Sequence, residues 1–316
     1  MNEKSTTSKI KSAARSLILH CSPHRPCPIM EAAAYKRLYP HEYFEKFIVE
    51  ETRPDGRPLG RARPVSVARG VVSTADGSCL VKIGRTTCLC AVKLEVVETE
   101  LSTPNEGVME VTVELPPMCS SDTRPGRQNE EAAYVTGRVN DVLRDGNVID
   151  LKQLSIEDNK RCWKIWIDVY VLDHDGCILD CALIAANGAL RDTTLPTVSI
   201  DEKGEVIVIG KTGDDDADER KAKKSKNQNL VSQRTPLSVT CAMYKQVLLV
   251  DPTHEEEDLV ETSVTVCTDE HEKIVGVYKL GGIVEASEGE IAKCIAAARL
   301  RYKNIRTALD EAFQYK

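Results

Sequence analysis

The sequence predicts an α+β protein built in two halves, each a set of strands followed by a helix. Three observations carry this expectation. Runs with apolar residues at every second position, such as Ser78–Ile83, Thr86–Val97 and Gly107–Leu115, are punctuated by turn signals. Longer stretches with helical spacing follow them, at Gln128–Arg144 and Glu288–Phe313. A strongly polar stretch separates the two sets, and the strand pattern restarts at Pro236.

Taken in order, Pro40–Glu51 places Tyr43, Phe44, Phe47 and Ile48 on one helical face. The link Arg53–Pro64 (RPDGRPLGRARP) holds too many Pro and Gly residues for a regular element. Val65–Val72 reads as a strand, and Ser78–Ile83 with Thr86–Val97 flank Gly84-Arg85 as a hairpin. In the helix predicted over Gln128–Arg144, Ala132, Val135 and Val139 share a side with Val142 or Leu143. Gly137 there costs about 1 kcal/mol relative to Ala unless close packing needs it. Cys162–Leu172 has large residues on both faces, which predicts a central strand covered on both sides. It turns at Asp173–Gly176 into a small-residue helix, Asp180–Leu190. Lys211–Asn229 is acidic, then basic, and nearly free of apolar residues, as expected of a surface loop. Pro236–Met243 with Val247–Val250, and Thr262–Cys267 with Lys273–Lys279, form two further hairpins. The expected domain plan is a disordered extension over 1–35, a first domain over 36–200, a charged flexible loop over 201–230 and a second domain over 231–316.

Composition narrows the function classes. The chain has 316 residues, 41% hydrophobic and 29% charged, as in an ordinary globular protein, and its 4% aromatic content leaves the core to Val, Ile, Leu and Ala. A net charge of −7 argues against a protein that coats nucleic acid by itself, while leaving room for a local basic edge in a larger assembly. The 12 cysteines include no CxxC pair, and several lie in apolar runs, so they are expected to be buried, reduced thiols in a reducing compartment. No apolar run reaches the roughly 18 residues of a membrane span. The first 29 residues are Ser-rich and basic, with Glu3 as the only acid, which fits either a transit peptide or a disordered extension ahead of Met30.

Five segments in order carry a family resemblance: RPDGR (Arg53–Arg57), STADGSCLVKIGRTTCLCAVK (Ser73–Lys93), VELPPMCSS (Val113–Ser121), IDVYVLDHDGCILDCA (Ile167–Ala182) and VDPTHEEE (Val250–Glu257). Together they resemble the RNase PH family from about Pro40 to the C-terminus, and within it the ring subunits of the RNA exosome. The resemblance implies an RNase PH-like fold (ribosomal protein S5 domain 2-like). It also implies partnership with other RNase PH-like subunits in a hetero-hexameric ring, with S1 or KH cap proteins, with a hydrolytic ribonuclease and with single-stranded RNA. It further implies residence in nucleus, nucleolus and cytoplasm.

The same resemblance says where chemistry would lie. Phosphorolysis needs phosphate held in line with the 3′ linkage and its developing charge offset. Active relatives grip phosphate with a DGGTRT turn, whose Thr and Arg supply a hydroxyl and a planar fork. Aligned on Asp175-Gly176, this chain has Cys177, Ile178 and Leu179 at those positions. Asp180 follows, and a carboxylate about 5 Å from a dianion repels it by several kcal/mol at moderate dielectric. The paired family aspartates match Asp251 and Glu257, which could hold a metal or simply start a helix, with Asp251 as N-cap and Pro252 at the first position. Arg138 matches an arginine near the phosphate and is expected in a buried ion pair or on RNA. Arg124 and Arg127 could meet RNA at the pore or be solvated loop residues. Arg53, Arg57, Arg61, Arg63 and Arg69 could form an RNA stripe or pair structurally. His174 has no second histidine nearby in sequence, so no zinc hydrolase, metal or cofactor is expected. The reading is a non-catalytic ring subunit; the rivals are an active phosphorolytic exoribonuclease using Asp251, Glu257 and Arg138, and a free RNA-binding module.

Overall fold

The computed structural model describes residues 28–99, 105–120, 123, 129–157, 160–196, 198–200, 206–208, 228–230, 233–245, 247–282 and 286–314. It divides into two compact units, residues 1–59 and 60–316.

The first unit holds helices α1 (Pro28–Leu38) and α2 (Pro40–Val49). Helix α1 covers part of the segment expected to be disordered. Its run of Glu, Ala, Lys and Leu has strong helix propensity, and its first residue is a proline, which is tolerated there. Both helices begin with proline, and α2 buries Phe44. In the turn that follows, Arg53 is buried: its main-chain N–H donates to Arg57 O (2.9 Å) and its Nη2 to Leu59 O (2.5 Å). Arg57 is paired with Asp55 at 2.5 Å.

The second unit contains two sheets. Strands β1 (Val65–Arg69), β2 (Gly77–Ile83), β3 (Thr86–Glu98), β4 (Val108–Glu114), β5 (Ser155–Glu157) and β6 (Arg161–Asp173) form the larger one, in the order β1-β2-β3-β6-β4 with β5 on the end of β6. Every pairing in it is antiparallel except β4 with β6. That parallel pair, which strand patterns alone do not reveal, follows from the intervening helix α3 (Glu130–Asp145): a crossover helix returns the chain in the same direction. Strand β6 is not covered on both sides as expected. Trp163, Ile165, Ile167, Val169 and Val171 are buried, whereas Asp168 and Tyr170 on the other face are exposed. The bulk of Trp166 on that face is satisfied at the surface, by a hydrogen bond to Glu95 (2.9 Å) and by Lys164 Nζ 3.6 Å from its ring centre.

Helix α4 (Ile178–Asp192) lies against β2 and β3 and also meets the second sheet, with residues 178–190 all buried. Its small residues permit that depth: a Cβ on Gly188 would lie 2.5 Å from Cys79 Sγ. Strands β7 (Thr194–Leu195), β8 (Val198–Ile200), β9 (Val206–Val208) and β10 (Gln228–Asn229) then form two short pairs, β7 with β10 and β8 with β9. Part of the stretch expected as a charged loop over 201–230 is therefore extended, at Val206-Ile207-Val208, where β-branched residues favour a strand; residues 201–205 and 209–227 lie outside the described residues. The second sheet is β12-β11-β13-β14, from β11 (Leu237–Tyr244), β12 (Val247–Val250), β13 (Thr262–Thr268) and β14 (Ile274–Leu280), all antiparallel. The short helix α5 (His254–Glu257) joins β12 to β13, and α6 (Glu288–Gln314) packs on β1, β11 and β13. One continuous core runs through both sheets and α4. The ten described cysteines are buried free thiols, as expected.

Candidate functional site

The turn between β6 and α4 lies where the two sheets meet, and its shape is dictated by backbone accounting. Asp175 N–H donates to Thr86 Oγ1 (3.2 Å), whose hydroxyl donates to Gly176 O (2.8 Å). Gly176 has φ +81°, and a Cβ there would sit 2.7 Å from the main chain of Thr253 and His254, so only glycine permits this approach. Cys177 follows at φ +53°. Its N–H donates to Glu257 Oε1 (2.9 Å), and its thiol to Pro252 O (3.3 Å). Burial, with the charges of Asp251, Glu257 and Asp180, pushes that thiol well above its usual range, so it stays protonated.

Ile178 and Leu179 are buried in the first turn of α4. The cleft beside them, about 320 Å³, is lined by Glu131, Glu257 and Glu261 among apolar and hydroxyl side chains, with no lysine or arginine in its lining among the described residues. The positive end of α4 therefore already meets a carboxylate of the chain itself, that of Glu257. Burial pushes Glu257 up to about 7, reinforced by Glu131, while the Cys177 N–H, His254 and Arg63 pull the other way.

Asp180 does not face this cleft, contrary to the expectation that its charge would meet an incoming anion. The α4 helix turns it into the second sheet, where it accepts from Ser238 Oγ (2.6 Å), Thr240 N–H (2.7 Å) and Thr240 Oγ1 (3.1 Å). Burial raises its pKa to about 6, with Asp251 adding to the rise and the Ser238 and Thr240 bonds opposing it. The carboxyl group at the turn is that of Glu257, with Glu131 and Glu261 beside it in the lining.

Asp251 is not a helix cap. It sits at φ +54°, and the N-cap of α5 is Thr253, in a capping box with Glu256. Its carboxylate accepts from the Arg63 main chain (2.7 Å), from Nε (3.0 Å) and from Nη2 (2.6 Å). Arg63, only 5% exposed, also donates from Nη1 to Asp175 O (2.6 Å). Burial disfavours its charge, but Asp251, with Cys177 and Asp175 nearby, more than offsets this and holds Arg63 above its usual range. The arginine clamps the turn, the second sheet and the start of β1 together.

Arg138 is not in a buried ion pair. It meets Asp141 one turn on (3.1 Å) at a half-exposed position, between the rings of Tyr134 (5.5 Å) and Tyr278 (4.9 Å). Of the linker arginines, Arg53 and Arg63 are buried, Arg57 is paired with Asp55, Arg61 is exposed, and Arg69 lies 5.4 Å from the Phe313 ring. Arg124 and Arg127 lie outside the described residues.

Two features were invisible in sequence. Arg63 and Asp251 are 188 residues apart. The rings of His174 and His254 meet at a tilt of 46° with centres 4.6 Å apart, and His174 Nε2 lies 3.8 Å from Glu131 Oε1. Nothing local in the sequence signals either meeting.

Residues 61–196 match the model of the 3′ exoribonuclease family, domain 1 (RNase PH), and residues 235–300 match domain 2 of that family. The chain is 33% identical over 277 residues to the "Exosome complex component Rrp42" of Methanopyrus kandleri, covering 88% of this chain and 97% of that one. It is 30% identical over 268 residues to the "Exosome complex component rrp43" of Schizosaccharomyces pombe, covering 85% and 94%. Among solved structures it resembles a chain of the Archaeoglobus fulgidus exosome with RNA bound to the active site, with a TM-score of 0.70, 28% identity and coverage of 87% and 97%.

Proposed function

The chain belongs to the RNase PH family of 3′ exoribonucleases, and from that premise we propose that it is a non-catalytic subunit of an RNA exosome core ring. It supports 3′-to-5′ RNA processing, including rRNA maturation and mRNA turnover, by completing the RNA-conducting barrel. The observation that carries this reading is the occupied turn. Apolar Ile178 and Leu179 stand where the resemblance implies hydroxyl and guanidinium, the Glu257 carboxylate accepts the Cys177 N–H, and among the described residues the cleft is lined by glutamates and by no lysine or arginine. A phosphate dianion would find neither the hydroxyl nor the guanidinium there, and the Cys177 N–H already has an acceptor in Glu257. Asp251, one of the positions matching the family's paired carboxylates, is engaged by Arg63.

In the proposed assembly the two RNase PH domains (36–200 and 231–316) pair edge to edge with other RNase PH-like subunits in a hetero-hexameric ring. S1 or KH cap proteins and a hydrolytic ribonuclease dock on that ring, and single-stranded RNA passes Arg124 and Arg127. The assembly works in nucleus, nucleolus and cytoplasm. The purified full chain, incubated with 3′-tailed RNA with and without inorganic phosphate, is expected to release no nucleoside diphosphates. Phosphate-dependent shortening of the RNA would overturn the proposal.

A further inference from the structure

Metal-ligating side chains converge at the mouth of the same turn. The ligand atoms of His174, His254 and Glu257 all lie within 4.8 Å of one another. They come from three places: the residue after β6, the first residue of α5 and its last residue. A tetrahedral zinc ion with bonds of about 2.1 Å sets its ligands about 3.4 Å apart, so rotations that move each atom by roughly 1 Å complete the shell. Glu131 is adjacent, with its Oε1 3.8 Å from His174 Nε2. The His174 side chain is only 4% exposed, so an ion there is shielded on one side. Glu257 is anchored as metal-ligating carboxylates commonly are: its Oε1 accepts the Cys177 N–H.

We propose that His174, His254 and Glu257, with Glu131 or water in the fourth position, bind a divalent transition-metal ion of the zinc class as a structural clamp between the two sheets. Two imidazoles select such an ion over magnesium, which prefers an oxygen shell. The expectation of no metal at His174 rested on the lack of a nearby histidine in sequence; the fold supplies one. The clamp does not depend on whether the chain has activity, because it joins protein segments and needs no substrate.

The test uses the full chain in its purified assembly, stripped with a chelator and reloaded with Zn²⁺ alone or with Co²⁺ alone. Wild-type assembly is expected to retain one more tightly held zinc than assemblies carrying His254→Asn or His174→Asn. Its Co²⁺ form should show a tetrahedral nitrogen–oxygen visible spectrum that these variants lack. Glu257→Gln, which still accepts from the Cys177 N–H, is expected to weaken binding at least tenfold even if a histidine variant folds poorly. His271→Ala, at an exposed histidine outside the cluster, should bind as wild type does. Equal zinc content in wild type and all three cluster variants would overturn the proposal. So would a cobalt spectrum dominated by thiolate bands, or complete displacement of the zinc by millimolar magnesium.

Discussion

At the residue scale, Arg63 and Asp251 are the pair on which the turn depends. Both are nearly sealed from solvent, and the guanidinium divides its donors between the Asp251 carboxylate and the carbonyl of Asp175. Removing one member of such a pair leaves the other buried and uncompensated, which costs about 3–5 kcal/mol. Arg63→Ala is therefore expected to lose that much stability in denaturant unfolding, and a loss under about 1 kcal/mol would contradict the clamp. Asp180 makes a pH prediction. Its folded pKa, about 6, lies above the ordinary 3.8, so the fold favours the protonated form. The stability this provides is fully present below pH 3.8 and is lost as pH rises through about 6, on the order of 3 kcal/mol in all. Asp180→Asn can keep all three bonds, accepting from the Thr240 N–H and donating to the two hydroxyls, and should flatten the change in melting temperature between pH 4 and pH 7. An unchanged slope would show that Asp180 does not titrate in this window. Residue identity showed apolar Ile178 and Leu179 where the family resemblance implies Thr and Arg. It did not reveal that Asp180 turns inward or that Glu257 accepts the Cys177 N–H at the turn, because side-chain direction is set by the helix and sheet around it.

At the element scale, two glycines fix how closely segments approach. Gly176 combines φ +81° with main chain 2.7 Å from any Cβ, so Gly176→Ala should cost more than the roughly 1–2 kcal/mol of the left-handed conformation alone. Gly188→Ala drives a methyl into Cys79 and should cost about 1–3 kcal/mol by overpacking α4 on β2. Thermal unfolding of both variants checks this, and near-wild-type melting for either would show that its neighbours give way. Most elements were readable, since period-2 and helical patterns are strong over long segments: Thr86–Val97 became Thr86–Glu98, and Glu288–Phe313 became Glu288–Gln314. Pairing direction was not readable. The parallel β4–β6 ladder depends on where α3 returns the chain, and the open face of β6 depends on what fails to cover Asp168 and Tyr170. The start of α5 shifted from Asp251 to Thr253 because the Arg63 partnership removed Asp251 from capping.

At the scale of the whole molecule, the second sheet ends in β14, which among the described residues pairs on one side only, with β13. Ile274, Val277 and Leu280 of β14 are exposed, as is Leu300 on α6. Unpaired edges with apolar side chains favour association, so the isolated chain is expected to aggregate, and co-expression with RNase PH-like neighbours should keep it soluble. A well-behaved monomer in sizing chromatography would count against that. The central claim, that the turn over residues 175–179 lacks the donors to hold an anion, is tested most directly by crystals of the assembly grown or soaked in high sulfate or phosphate. The account predicts no ordered tetrahedral anion on the main-chain N–H groups at the start of α4, with Glu257 still accepting from Cys177. An anion held there, with Glu257 swung aside, would contradict it.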